Sequence, residues 1–123
     1  MNREELKEYL PHREPMLLVD EIDIDGAGVC HAKYQVKEDE FFCQGHFPGN
    51  PVVPGVIQCE IMAQSCALLV KDEIKGKTTL YTGIDNVRFK QIVKPGDLSS
   101  ARRPDRCVQW DTAWRTAEAR DGD

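Results

Sequence analysis

Apolar and polar positions change rhythm several times along this chain, and each change marks an element. Residues 2–10 read as a short amphipathic helix that Pro11 ends. Met16-Leu17-Leu18-Val19 opens a predicted strand running towards Asp25, and Gly26-Ala27-Gly28 follows as a turn. Residues 29–36 alternate, which predicts the second strand of a hairpin. Residues 41–55 carry three glycines and three prolines among aromatics. The prolines remove donors and bias their predecessors away from helix, so this stretch is irregular. It is too apolar for a solvated linker, which predicts a loop held in one shape by the core beneath it.

From residue 55 the rhythm becomes helical. Residues 55–70 hold no proline, lysine or arginine and are apolar nearly all round, predicting a helix over about 55–71 that is buried on most sides. Lys71-Asp72-Glu73 and Gly76 end it. Residues 79–84 and 86–93 predict one long strand or two broken ones, and Lys94-Pro95-Gly96-Asp97 a turn. No internal repeat is visible. One buried helix among antiparallel strands gives an α+β layer architecture.

Composition narrows the function classes. A length of 123 residues fits one domain whose core a partner subunit would enlarge. The net charge of −5 argues against nucleic acid, which calls for a basic excess. Five cysteines without a Cys-x-x-Cys pair predict reduced thiols in a cytoplasmic protein rather than a disulfide framework. Residues 1–9 lack the apolar core of a signal peptide. Residues 56–70 are too short and too polar to span a membrane.

Chemistry concentrates in the loop and the helix. Glu60 is the one carboxyl side chain between residues 55 and 70, and no lysine, arginine or histidine accompanies it. A carboxyl group buried there must be protonated or partnered. Gln64, one helical turn on, is placed to hydrogen-bond it. Glu60 is then either a functional acid or a structural carboxylate satisfied by a neighbouring chain. His46 lies in the constrained loop, where a histidine is structural, exposed or catalytic. Cys43-x-x-His46 offers two metal ligands but no second pair follows, so no metal is expected. His12, beside Arg13 and before Pro15, reads as shaping the chain entry. Pro54-Gly55 starts the helix, where free N–H groups and the dipole can hold an oxygen that gains negative charge, or where Gly55 only makes a tight turn.

Three segments together resemble one family. They are residues 10–20 (LPHREPMLLVD), residues 45–64 (GHFPGNPVVPGVIQCEIMAQ) and residues 83–90 (GIDNVRFK), continuing to Pro95-Gly96-Asp97. The chain is similar to the hotdog-fold 3-hydroxyacyl-[acyl-carrier-protein] dehydratases of bacterial fatty acid synthesis, the FabZ type. The resemblance runs from about residue 10 to residue 98. It implies a hotdog fold, an antiparallel sheet wrapped around a central helix. It implies that His46 and Glu60, fourteen residues apart, act as the catalytic pair. The related FabA type carries aspartate at the acid position, so Glu60 favours dehydration without isomerisation. His46 would take the C2 proton, the Gly55 N–H would bind the thioester oxygen, and Glu60 of the partner subunit would protonate the leaving hydroxyl. Gln64 would orient Glu60, and Phe47, Pro54, Val56 and Ile57 would line the substrate site. A homodimer with a shared site follows, and assemblies of three dimers are common in the family. No cofactor is implied, because the substrate arrives on the phosphopantetheine of an acyl carrier protein. Arg88, Lys90 and Lys94 are candidate docking charges for that acidic partner, or a solvated face.

The chain also departs from the family. Glu14 stands where the family usually has an aromatic gating residue. Residues 99–123 contain one valine and no isoleucine, leucine or phenylalanine. They are expected to leave the sheet incomplete, as a tail beyond a dehydratase domain at 1–98, with a weak helix over 110–120 or no regular structure. Reading the gene two bases later turns the codons of 110–115 towards Gly-x-Gly-x-Ala, which resembles the family's last strand and suggests a shifted frame near residues 97–100. Two other functions stay open. One is a hotdog thioesterase, which typically places its acid differently. The other is an acyl-binding homologue whose altered tail has impaired catalysis.

Overall fold

The computed structural model describes residues 1–27, 29–78, 89, 92–103, 107–112 and 115–120. Among the described residues, five strands form one antiparallel sheet in chain order: β1 (Glu21–Ile24), β2 (Cys30–Gln35), β3 (Leu98–Arg103), β4 (Cys107–Thr112) and β5 (Arg115–Arg120). The helical elements are α1 (Arg3–Leu6), α2 (Phe41–Gln44) and α3 (Gly55–Ser65), then a 3-10 turn (Ala67–Val70) and α4 (Lys71–Ile74).

The β1–β2 hairpin follows from the sequence. Cys30, Ala32 and Tyr34 of β2 are buried while His31, Lys33 and Gln35 are exposed, the period of two that a half-buried strand requires. The Asp25 side chain sets the turn by accepting from the N–H groups of Ala27 (2.8 Å) and Val29 (3.0 Å). Helix α3 packs on β2, and the Cys30 thiol donates to the Ser65 carbonyl at 2.9 Å. The core between them holds Leu6, Leu17, Leu18, Val19, Ile22, Tyr34 and Ile61, all nearly inaccessible. Each such side chain contributes about 1.5–3 kcal/mol relative to exposure.

Four expectations need correction. The first helix ends at Leu6, capped by Asn2, whose side chain accepts from the Glu5 N–H. Residues 16–19 are not a strand. Their backbone groups bond to side chains instead: Arg3 donates to the carbonyls of Leu17 (2.7 Å) and Val19 (3.0 Å), and Gln64 takes Leu18 and Met16. The helix expected over 55–71 is interrupted at Cys66. The Ser65 hydroxyl donates back to the Ile61 carbonyl at 2.6 Å, competing with the helical ladder, and a 3-10 turn follows.

The fourth correction concerns the tail. Instead of an incomplete sheet or a weak helix, it supplies β4 and β5. The register runs Ala32↔Ala101, Ala101↔Trp110 and Trp110↔Ala117, so small residues flank Trp110 on both neighbouring strands. Ladder bonds are backbone bonds, so a strand does not need leucine or isoleucine to pair. Val108, Trp110 and Thr112 also alternate as strand formers, a period of two that a search for aliphatic residues overlooks. The expected strands over 79–93 lie largely outside the described residues. The turn at 94–97 is present. Lys94 N–H donates to Asp97 Oδ2 at 3.0 Å, and Gly96 takes φ +92°, which favours glycine.

Candidate active site

His46 sits on a loop that several independent contacts hold. Ahead of it in the chain, the buried Tyr34 phenol of β2 donates to the buried Glu40 carboxylate, which also accepts from the Lys37 N–H at 3.3 Å. Burial first, and Glu40 second, raises the Tyr34 pKa, so the phenol keeps its proton and stays a donor. Glu40 precedes α2, whose Phe42 and Cys43 are buried. Burial also pushes the Cys43 thiol up, which makes it a poor metal ligand beside His46. The loop then closes on itself. Phe47 and Asn50 exchange backbone bonds at 3.0 and 2.9 Å around Gly49, whose φ of +74° suits glycine. The Val52 N–H returns to the His46 carbonyl at 2.8 Å, and the Val53 N–H reaches the Val93 carbonyl at 2.8 Å.

These bonds settle the His46 ring. Its Nδ1 lies 3.0 Å from the Val52 carbonyl oxygen, and a carbonyl can only accept. Nδ1 therefore carries the hydrogen, and Nε2 of the uncharged ring keeps its lone pair. The ring stacks on Phe47, with centroids 4.1 Å apart and planes at 25°. The ring is half-buried and fixed through Nδ1, and its Nε2 has no hydrogen-bond partner among the described residues; such a ring can accept a proton there.

Glu60 lies in the second turn of α3 and is also fixed. Its Oε1 accepts from Gln64 Nε2 at 2.9 Å and lies 3.1 Å from His12 Nε2. The Gln64 amide cannot flip. Its Oε1 faces the Leu18 N–H at 2.8 Å, so its Nε2 must point towards the Met16 carbonyl (2.9 Å) and Glu60. Residues 12–20 thus form the wall behind the carboxyl group. Arg3 clamps that wall from the other side through Leu17, Val19, Asp20 and Glu14.

Glu14 turns towards α1, where Arg3 (3.1 Å) and Lys7 (3.3 Å) hold its carboxylate. With a backbone N–H as the largest cause, these donors lower its pKa to about 2. At the helix start, Pro54 gives no side-chain cap, and the N–H groups of Gly55 and Val56 have no acceptor among the described residues. The Phe89 ring lies over Gly55: a Cβ there would come within 3.0 Å of it. Val56 is 74% exposed and Phe47 52% exposed, although the helix was expected to be buried on most sides; Pro54 and Ile57 are half-buried.

The expected site residues thus fall into two groups. Gly55, Glu60 and Gln64 share α3, with Glu60 and Gln64 bonded. His46 and Phe47 share the loop. No hydrogen bond or ion pair joins His46 to Glu60 among the described residues. Lys94 is exposed, while Arg88 and Lys90 lie outside the described residues. Sequence reasoning missed the contact of His12 with Glu60 and the clamp by Arg3. Nothing local in the chain links residues so far apart, although His12 belongs to one of the three segments that carry the family resemblance.

A family model described as a FabA-like domain matches residues 10–101. A 3-hydroxyacyl-[acyl-carrier-protein] dehydratase FabZ of Caldicellulosiruptor bescii is 49% identical over 100 residues, covering 79% of this chain and 71% of the relative. The FabZ of Caldicellulosiruptor saccharolyticus is 52% identical over 94 residues, covering 74% and 67%. The FabZ of Clostridium perfringens is 52% identical over 99 residues, covering 79% and 71%. Among solved structures, the dehydratase heterocomplex ApeI:P from Xenorhabdus doucetiae aligns with a TM-score of 0.63 over 84% of this chain and 95% of that one. At 14% identity that likeness speaks for the fold, which is the hotdog arrangement.

Proposed function

The chain belongs to the FabA-like domain family as a 3-hydroxyacyl-[acyl-carrier-protein] dehydratase of the FabZ type, and from that premise we propose that His46 and Glu60 divide the two proton transfers of the elimination. The observation that carries the assignment is the Nδ1 bond of His46 to the Val52 carbonyl, which leaves Nε2 to take a proton.

Nε2 of His46 removes the C2 proton of the 3-hydroxyacyl thioester, and the C–H electrons begin to form the C2–C3 double bond. The thioester oxygen gains negative charge. The N–H groups of Gly55 and Val56, which have no acceptor among the described residues and lie at the positive end of α3, stabilise it. Glu60 of the partner subunit gives its proton to the C3 hydroxyl, the C3–O bond breaks and water leaves. Each transfer supplies on the order of 10²–10⁴-fold. His46 then holds the C2 proton and Glu60 is ionised, and proton exchange with solvent resets both. The scheme uses side chains and backbone alone and calls for no cofactor.

Sharing of the site by two chains rests on two features. His46 and Glu60 are not joined within one chain. Phe41, Phe47, Val56, Phe89 and Ile92 are exposed apolar residues, and Phe47, Val56 and Phe89 lie at the loop and helix start. Such a patch is what a second copy would cover. The substrate arrives on an acyl carrier protein, whose acidic surface would meet exposed Lys94. No helix among the described residues is long and apolar enough to cross a membrane.

Mixing two inactive variants tests the reading. His46→Ala and Glu60→Ala chains are unfolded together and refolded, and enoyl absorbance is followed with a 3-hydroxyacyl thioester. Random pairing puts one intact site in each mixed dimer, so about one quarter of wild-type activity returns. Wild-type turnover by both single variants refutes the roles. Dead singles with a dead mixture refute the sharing. Release of free thiol in place of enoyl absorbance would make the protein a thioesterase.

A further inference from the structure

We propose that Gln58 is a positioning residue for the base: its buried side chain grips the loop at Val53 and so holds the acceptor of His46 in place from α3. This rests on the reading of His46 as the base and deepens it.

Gln58 is the fourth residue of α3 and is 4% exposed. Its Nε2 donates to the Val53 carbonyl at 3.3 Å. A carbonyl only accepts, so the amide cannot be turned round. Its Oε1 is then left buried without a hydrogen-bond partner among the described residues. A buried amide whose acceptor goes unused is a poor device for stability. An apolar side chain would fill the same space without that orphan. The feature that calls for an amide here is the Val53 carbonyl.

That carbonyl has a particular place in the loop. Three successive peptide units run from Pro51 to Pro54, and each is planar. In the first, the Val52 N–H donates to the His46 carbonyl at 2.8 Å. In the second, the Val53 N–H donates to the Val93 carbonyl at 2.8 Å, which aims the Val52 carbonyl of the same plane at His46 Nδ1, 3.0 Å away. The third has no N–H, because Pro54 supplies its nitrogen. The Val53 carbonyl is its one polar handle, and Gln58 takes it. Without that grip the third plane can rotate about the Val53 Cα, and the plane that carries the Val52 carbonyl is held by Val93 alone. The acceptor of Nδ1 then loosens, the His46 ring can take its other tautomer, and Nε2 no longer presents a fixed lone pair. A misplacement on the scale of 1 Å costs up to about 10²-fold in rate. Substrate binding does not need the contact, so KM changes little.

Leucine and methionine are close to glutamine in volume and carry no N–H. Turnover of a 3-hydroxyacyl thioester is measured for Gln58→Leu, Gln58→Met and His46→Ala, below the lowest melting temperature of the set. The ring nitrogens of His46 are followed by 15N NMR with the ring uncharged, their signals identified by their absence in His46→Ala. Both Gln58 variants should lose about 10–10²-fold in kcat with KM within about twofold and Tm within about 5 °C. Their His46 signals should move from the Nδ1–H form towards a mixture of tautomers. Wild-type kcat in either variant overturns the proposal, and so does a loss carried by KM. A loss of kcat with His46 signals unchanged overturns it too, since Gln58 would then be merely structural. So does loss of a cooperative melt in both variants, because the fold and not the base would then depend on the amide. Wild-type turnover by His46→Ala instead removes the base assignment beneath it, whatever Gln58 does.

Discussion

Replacing Gln64 by leucine tests how the acid is held. The two side chains are close in volume, so the change removes hydrogen bonds without opening a large cavity. Gln64 is 2% exposed and makes three bonds, to the Leu18 N–H, the Met16 carbonyl and Glu60. The Leu18 bond is buried and its N–H has nowhere else to go, which costs roughly 1–3 kcal/mol. The Met16 and Glu60 oxygens are partly exposed and regain water, so they add about 1 kcal/mol together. A total of about 2–4 kcal/mol lowers Tm by roughly 10 °C in a chain of this size. The assay is a thermal melt at matched protein concentration, since the proposed pairing of subunits would make Tm concentration-dependent. Turnover measured well below the melt should fall at least about tenfold, because Glu60 loses the donor on its own helix. A Tm within about 2 °C of wild type would refute the argument that Leu18 depends on this one acceptor. Glutamate at the same position separates the bonds. It still accepts from Leu18, yet it sets a second carboxylate against Glu60, so it should harm turnover more than its effect on Tm suggests.

Other outcomes follow from the same contacts. Glu14 has a folded pKa of about 2 against an ordinary 4.5, so its contribution to stability is complete above the ordinary value and is lost as pH falls towards the folded one. Acid titration of Glu14→Gln should therefore show a shallower loss of Tm between those limits than the wild type, and identical curves would mean the Arg3 and Lys7 contacts stabilise nothing. Tyr34→Phe leaves Glu40 buried with the Lys37 N–H as its remaining short-range donor, and denaturant melts should show a loss of about 1–3 kcal/mol. Because the Tyr34 pKa is raised, its share of stability is present below pH 10.0, the ordinary value, and is lost as pH rises past it; Tyr34→Phe should blunt that alkaline loss. Turnover of carrier-bound substrate should weaken with added salt, and Lys94→Glu should raise KM for that substrate but not for a small thioester. The coding DNA read two bases on through codons 110–115 should spell Gly-x-Gly-x-Ala in an open frame, and a gene without it would rule out a shifted frame as the origin of the tail.

Legibility in the sequence followed the range of the interactions involved. The β2 alternation, the turn at 94–97 and the Glu60–Gln64 bond are set within a few residues, and local pattern was enough for each. The segment at 16–19 reads as a strand because leucine and valine suit one, yet its backbone partners are the side chains of Arg3 and Gln64. No periodicity rule reaches across such separations. The break at Ser65 is a local effect that composition hides, since a serine inside an apolar helix reads as tolerable until its hydroxyl takes the Ile61 carbonyl. The tail was misread for the opposite reason. Its scarcity of aliphatic residues is real, and the family match also stops at residue 101. Backbone pairing still forms β4 and β5, with Trp110 flanked by Ala101 and Ala117 in the register.

The two halves of the proposed site are held by contacts within one chain, and that bears on the chemistry. His46 is held by its own loop, through Val52, Val93 and the Tyr34–Glu40 pair ahead of it. Glu60 is held by α3 and by the 12–20 wall that α1 clamps. The two halves share one core, and Gln58 Nε2 of α3 donates to the Val53 carbonyl of the loop at 3.3 Å. On the proposed roles, each chain would present its base and its acid in place before it meets a partner. Docking of two such chains needs to bring the halves together but not to shape them, so little ordering cost falls on assembly. The exposed Phe47 and Val56 lie where such docking would cover them. Variants in the interface should then lose activity through weakened pairing and regain it at high protein concentration. Variants at Gln64, by contrast, should stay impaired at every concentration.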